Sequence, residues 1–206
     1  MAVMTPGGKL TYEKHYPYFF VNYEKGSKIF DGDLNYHRLD ALAIHQFGTK
    51  LGYTNIKVFG GFSSGTAPIW KNFEITGQTG DFSSNWASKI NKPSNLGFVT
   101  MPAGTFYADK FIGFQVSQYL PFRFRTLGKA YSNIELEYQT IVGNFKNSAD
   151  HQFNFRVLDH NYQEVGITWN RFLGSKFGVG FSYRLGYYQM PAFKDNIGFQ
   201  IKLNAF

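Results

Sequence analysis

The chain has 206 residues, 43% of them hydrophobic and 19% aromatic, with no cysteine and a formal net charge of +7. No run approaches the ~18 apolar residues of a spanning helix, and without cysteine there are no disulfides or thiolate metal sites. The basic residues are scattered, with no basic helix or tight cluster, which argues against a nucleic-acid surface.

In chain order, the opening MAVMTPGGK lacks the basic start and apolar core of a signal peptide. Residues 1–15, rich in Gly, Pro and Lys, read as an irregular lead-in to a β-domain over residues 16–206. Residues 16–25 (YPYFFVNYEK) are the first strand, with Pro17 confined to its start or to an open edge. A turn around Asp31-Gly32 follows. Residues 35–47 (NYHRLDALAIHQF) form a second strand of ambiguous parity, because Leu39, Ala41 and Ala43 oppose Leu42 and Ile44. A short turn leads to residues 53–62 (YTNIKVFGGF), where Ile56, Val58 and Phe62 share a face against Asn55 and Lys57.

The long break is at about residues 63–104, with Pro68, Trp70, Trp86, Pro93 and Pro102. So long a stretch predicts short structured pieces within it, around residues 82–90 and 96–101. Alternation returns at residues 107–120, with Ile112, Phe114, Val116 and Leu120 against Gly113, Gln115 and Ser117. In residues 131–142, Ile134, Leu136, Tyr138 and Val142 oppose Asn133, Glu135, Glu137 and Gln139. Residues 121–129 suit a strand end or short helix, and residues 145–158 could extend a hairpin above the sheet. In residues 162–171, Val165, Ile167 and Trp169 oppose Glu164, Gly166, Thr168 and Asn170. A final hairpin carries Phe177, Val179, Phe181, Tyr183 and Leu185, then Ile197, Phe199, Ile201 and Leu203, against Gly178, Gly180, Ser182, Arg184, Gly198, Gln200 and Lys202.

About eight strands result, most of them longer than the roughly 5–6 residues usual in soluble sheets and long enough for the roughly 9–11 of a tilted membrane-crossing strand. Short turns alternate with longer loops, as in transmembrane barrels. The pattern therefore predicts an all-β fold: an antiparallel transmembrane β-barrel of about eight strands, or the C-terminal half of a larger barrel. The rival is a soluble, lipocalin-like ligand-binding barrel with the faces reversed, since alternation alone does not say which face turns inward.

In the membrane reading, the polar face lines the interior and lipid meets the other face. Gln115, Glu135, Glu137, Glu164, Arg184, Gln200 and Lys202 would then form an interior network, with the carboxylates balancing Arg184 and Lys202. Glu135 and Glu137 share a face, but no companion histidine or substrate-binding pattern makes them an acid–base pair. The five histidines show no metal spacing, and neither a phosphate loop nor a nucleophile elbow is present. No enzyme activity and no cofactor are expected. Tyr16, Tyr18, Tyr53, Tyr107, Tyr119, Tyr131, Tyr162, Tyr187 and Tyr188 lie near strand ends, where interfacial girdles would sit.

The opening YPYFFVNYEKG, then FDGDLNYHRLDALAIHQF, and later NLGFVTM, FYADKFIGFQVSQYLPFRF and DHNYQEVGITWNRF resemble a known family. It is the C-terminal barrel of large Bacteroidetes outer-membrane proteins, a domain of unknown function preceded by a carboxypeptidase-regulatory-like domain and distantly similar to Omp85 assembly barrels. The likeness runs from about residue 9 to residue 206. It implies a Gram-negative outer-membrane location, contact with outer-membrane lipid and with the barrel-insertion machinery, and a structural, assembly or surface-complex role. A small-solute channel is the alternative. Because the family's members are longer, it also implies another subunit or an N-terminal part that completes the barrel. The terminal Phe206 matches the aromatic insertion signal of such barrels in type, although it falls opposite the apolar parity of Ile197 to Leu203.

Overall fold

The computed structural model describes residues 2–5, 8–11, 17–27, 34–75, 77–79, 90–91, 97–120, 124–125, 131–146, 148, 154–173 and 177–203. Eight long strands carry the fold: β1 Tyr18–Gly26, β2 Tyr36–Thr49, β3 Gly52–Gly65, β4 Lys110–Tyr119, β5 Tyr131–Asn144, β6 Tyr162–Leu173, β7 Phe177–Leu185 and β8 Ile197–Leu203. They pair antiparallel in chain order as one meander. The all-β class and the count of eight follow the sequence reading, because period-two alternation over such lengths suits no other element.

One end of the sheet holds the connections at 50–51, 120–130 and 174–176; the other holds those at 27–35, 66–109, 145–161 and 186–196. The tight β2–β3 turn ends on Gly52, whose φ of 108° favours glycine. A register shift between Trp169 and Leu173 marks a bulge in β6, where Arg171 has a φ of 59°. The ambiguous second strand is settled by its register: Leu39, Ala41 and Ala43 pair with Phe62, Gly60 and Val58, and so belong to the apolar face.

Several connections differ from expectation. Within the stretch read as an irregular lead-in, Ala2–Thr5 and Gly8–Thr11 pair as a separate hairpin. Tyr107–Ala108 breaks away from β4 to pair with Phe73–Glu74. Phe124–Arg125 folds back onto β5. In the stretch 145–158 Arg156 bridges to Phe106, while residues 147 and 149–153 of the expected hairpin lie outside the described residues. Of the pieces foreseen in the long break, Phe98–Pro102 is a strand, whereas residues 82–89 lie outside the described residues.

The two sheet faces are buried in the reverse of the usual sense. The apolar face is open: Ile112 is 60% exposed and Ile201 45%, and Leu136, Ile167, Val179 and Phe199 are exposed as well. The opposite, polar face is covered. The long break folds back over it, so that Phe98, Met101 and Phe106 join Phe59, Ile141 and Tyr162 in one apolar cluster.

The sheet does not close into the eight-stranded barrel expected. Among the described residues β1 pairs with β2 alone, and the far edge of β8 is met by Ile90–Asn91, running parallel along Phe199–Gln200. The physical reason lies in the interior. Eight strands close around a space that side chains fill, but here a whole backbone strand and its aromatic neighbours occupy the concave side.

Candidate functional site

Alternation puts Glu164 and Arg184 on the polar face, and the β6–β7 register sets them opposite one another. Both reach the internal strand Phe98–Pro102. Glu164, only 1% exposed, accepts from the Val99 amide at 3.0 Å, from the Thr100 amide at 2.8 Å and from the Thr100 hydroxyl at 2.7 Å. Gln139 adds a donor at 2.9 Å. Arg184 donates to the backbone carbonyl of Thr100 and, at 3.3 Å, to that of Tyr188. The Thr100 hydroxyl also meets the Tyr162 hydroxyl at 2.9 Å. A buried carboxylate is tolerable only when so many donors satisfy it. The effect is a clamp that pins the backbone of Val99 and Thr100 to the wall.

The other predicted residues lie on the same face but act apart from the clamp. Glu137 accepts from the Gln115 amide. Glu135, 2% exposed, accepts from Asn170 at 2.9 Å. Gln200 reaches the Thr168 hydroxyl at 3.3 Å. The register places Glu135 and Glu137 across from Thr168 and Gly166. The backbone of Lys202 pairs with Gly178, but its side chain, like Phe206, lies outside the described residues. Among the described residues no group of three or more His, Asp or Glu is placed to hold a metal ion.

Sequence reasoning missed the partner of this face. Thr100, in a Pro-punctuated break, carries no signal of its role. Tyr162 and Tyr188 look like girdle residues by position, yet both are buried. Parity could have found Tyr162, since it lies two residues from Glu164 and therefore shares its face. Tyr187 is open at 67% exposure, and Tyr53 stacks on Tyr119 at 4.2 Å.

Above the clamp, at the long-loop end, Tyr188 donates to Asp159 at 3.0 Å and to the Val157 carbonyl at 3.2 Å. Burial, then the bond to Asp159, pushes the Tyr188 hydroxyl up to about 12. Asp159 is held below the usual carboxylate range by His160, at 2.9 Å, and then by Tyr188. At the opposite side of the sheet Lys71 bonds Glu24, which also accepts from Tyr36 at 2.6 Å.

Comparison with family models, with curated proteins and with solved structures finds no match for this chain. The assignment of function therefore rests on the geometry.

Proposed function

We propose that the chain is a section of an outer-membrane β-barrel wall, wider than eight strands, with a structural or surface-assembly role. The observation that carries this reading is the internal strand Phe98–Pro102, clamped to a buried polar face while the apolar face stays exposed. A soluble barrel turns its apolar face inward to gain hydrophobic stabilisation; here that face is outward on β2 to β8. Lipid is the surrounding in which such a surface is stable. The ionisable residues that the register puts on the apolar face are Lys25, His37 and Lys110, near the long-loop end, and His45 on β2; the exposed Arg171 lies in the β6 bulge near the short-turn end.

Two features favour a larger barrel. A backbone strand inside needs a wider wall than eight strands provide. The edge of β1 has no strand beside it among the described residues, and its residues 18–23 are exposed on both faces; an unpaired strand edge in lipid costs several kcal/mol per backbone group. Further strands, from an N-terminal part of a longer chain or from another subunit, would pair with it. The filled interior weighs against an open small-solute channel. Outer-membrane lipid and the barrel-insertion machinery are the implied partners.

The test is detergent dependence, read by size exclusion and by gel mobility before and after boiling. The expected result is a species folded only in detergent, heat-modifiable, and larger than a monomer when the completing strands are supplied. A folded, monodisperse monomer in plain buffer would falsify the membrane reading.

A further inference from the structure

We propose that the cavity beneath Tyr187 and Tyr188 binds a small anion carried on a single six-membered ring, of the acidic-sugar class. The cavity has a volume of about 270 Å³, and its walls include Phe106, Arg156, Tyr162, Arg184, Tyr187 and Tyr188. That is just below the range of ligand pockets, roughly 300–1,000 Å³, and suits one ring rather than a long chain. It opens among the connections of the long-loop end, with Tyr162 at the start of β6 and Arg184 near the end of β7 in its wall. The inference therefore stands apart from how the wall is completed.

The aromatic wall is braced. Phe106 meets Tyr188 edge-on at 5.6 Å and Tyr162 at 6.1 Å, and Tyr162 lies 5.7 Å from Tyr188. The exposed ring of Tyr187 is held flat against His160, 3.7 Å between centroids and 6° between planes. A ring so fixed offers a stacking face with little left to order on binding.

The charged residues of the lining are both arginines, Arg156 and Arg184. No Asp or Glu is among the lining residues. The guanidinium of Arg156 lies over the Phe106 ring at 5.3 Å and over the Tyr188 ring at 5.7 Å. Among the described residues no carboxylate comes within ion-pair distance of it. Its backbone is fixed on both sides, donating to Thr105 at 2.8 Å and accepting from Tyr107 at 3.1 Å. Arg184, buried in the wall and opposite Glu164 in the β6–β7 register, donates to the carbonyls of Thr100 and Tyr188. Asp159, the nearby acid, is engaged by Tyr188 and His160. A planar fork set over aromatic faces matches a carboxylate bidentately, and the adjacent Tyr187 face would carry the ring.

Carboxylates on six-membered rings come from two sources, acidic sugars and aromatic acids, and calorimetry on the folded full chain separates them. The probes are glucuronate, benzoate and glucose, with folding of each variant checked by its gel mobility before and after boiling. Saturable binding of glucuronate, with glucose at least tenfold weaker, is expected, on the order of the loss of one charged hydrogen bond. Arg156→Gln should weaken glucuronate by about tenfold or more, Arg156→Lys by less, and Tyr187→Ala by a few-fold. No saturable glucuronate binding by folded protein, or binding that Arg156→Gln leaves unchanged, overturns the site. Benzoate binding in preference to glucuronate overturns the sugar assignment.

Discussion

The two sides of the sheet share one alternation and differ in what lies behind it. In β5 to β8 the inward residues Glu135, Gln139, Glu164, Thr168, Ser182, Arg184 and Gln200 are all buried, and the internal strand lies against Glu164 and Arg184. In β1 the same alternation places Phe19 and Val21 on one face and Tyr18 and Phe20 on the other, and all four are exposed, Phe19 at 71%. Strand pairing alone therefore does not make an interior. The interior exists where a second layer sits on the concave face, and β1 lacks both that layer and one lateral neighbour among the described residues.

The largest effect should come from dismantling the clamp. Glu164→Ala removes the acceptor of four donors, on Val99, Thr100 and Gln139. Breaking a buried charged cluster this way costs about 3–5 kcal/mol. Urea unfolding in detergent should show the loss, and limited proteolysis should newly cut near Phe98–Pro102. Glu24→Ala, on the β1 side, should leave that segment protected. Equal protection of the segment in both variants would remove the distinction between the two sides.

Next is the outward face. Ile167→Lys, near the middle of β6, should destabilise the protein in bilayers by about 2–4 kcal/mol, against about 0–1 for Gln163→Lys near the strand end. Equal, negligible effects at the two depths would count against lipid around β6.

A smaller loss is expected where β3 and β4 pack closely. Gly113 lies under the Phe59 ring, and a Cβ there would sit 2.4 Å from it. Gly113→Ala should cost about 1–3 kcal/mol through overpacking. Phe59→Leu should restore part of the loss, as a double-mutant cycle would reveal; strict additivity would show that the contact is not the cause.

The smallest effect belongs to β1. Phe20→Ser should change the unfolding free energy of the 206-residue chain by no more than about 0.5 kcal/mol, since the ring is already exposed. The same change should reduce recovery of the larger, strand-completed species. A large loss of stability in the chain alone would mean that Phe20 has a partner within it.

How much was legible follows from the range of each interaction. The eight strands, their parity and their order along the chain were readable because alternation is local, carried by residues such as Val165, Ile167 and Trp169 against Glu164 and Thr168. The placement of Gln115, Glu135, Glu137, Glu164, Arg184 and Gln200 on one face was readable for the same reason. Their partners were not. Thr100 lies far from Glu164 in sequence, and no local pattern in residues 63–104 announces that its backbone will be gripped from β6 and β7. Tyr162 and Tyr188 were misread as girdle residues because position near a strand end was weighed above parity and loop packing.

The sequence by itself determined the period-two pattern, the strand lengths and the segregation of apolar from polar faces, all set by side-chain direction along an extended chain. Only the tertiary structure decided which face is buried, that a strand from the long break fills the concave side, and that β1 and β8 do not meet. Those outcomes depend on contacts between segments distant in sequence and on the volume a curved sheet must enclose, and neither is encoded in the alternation of any one strand.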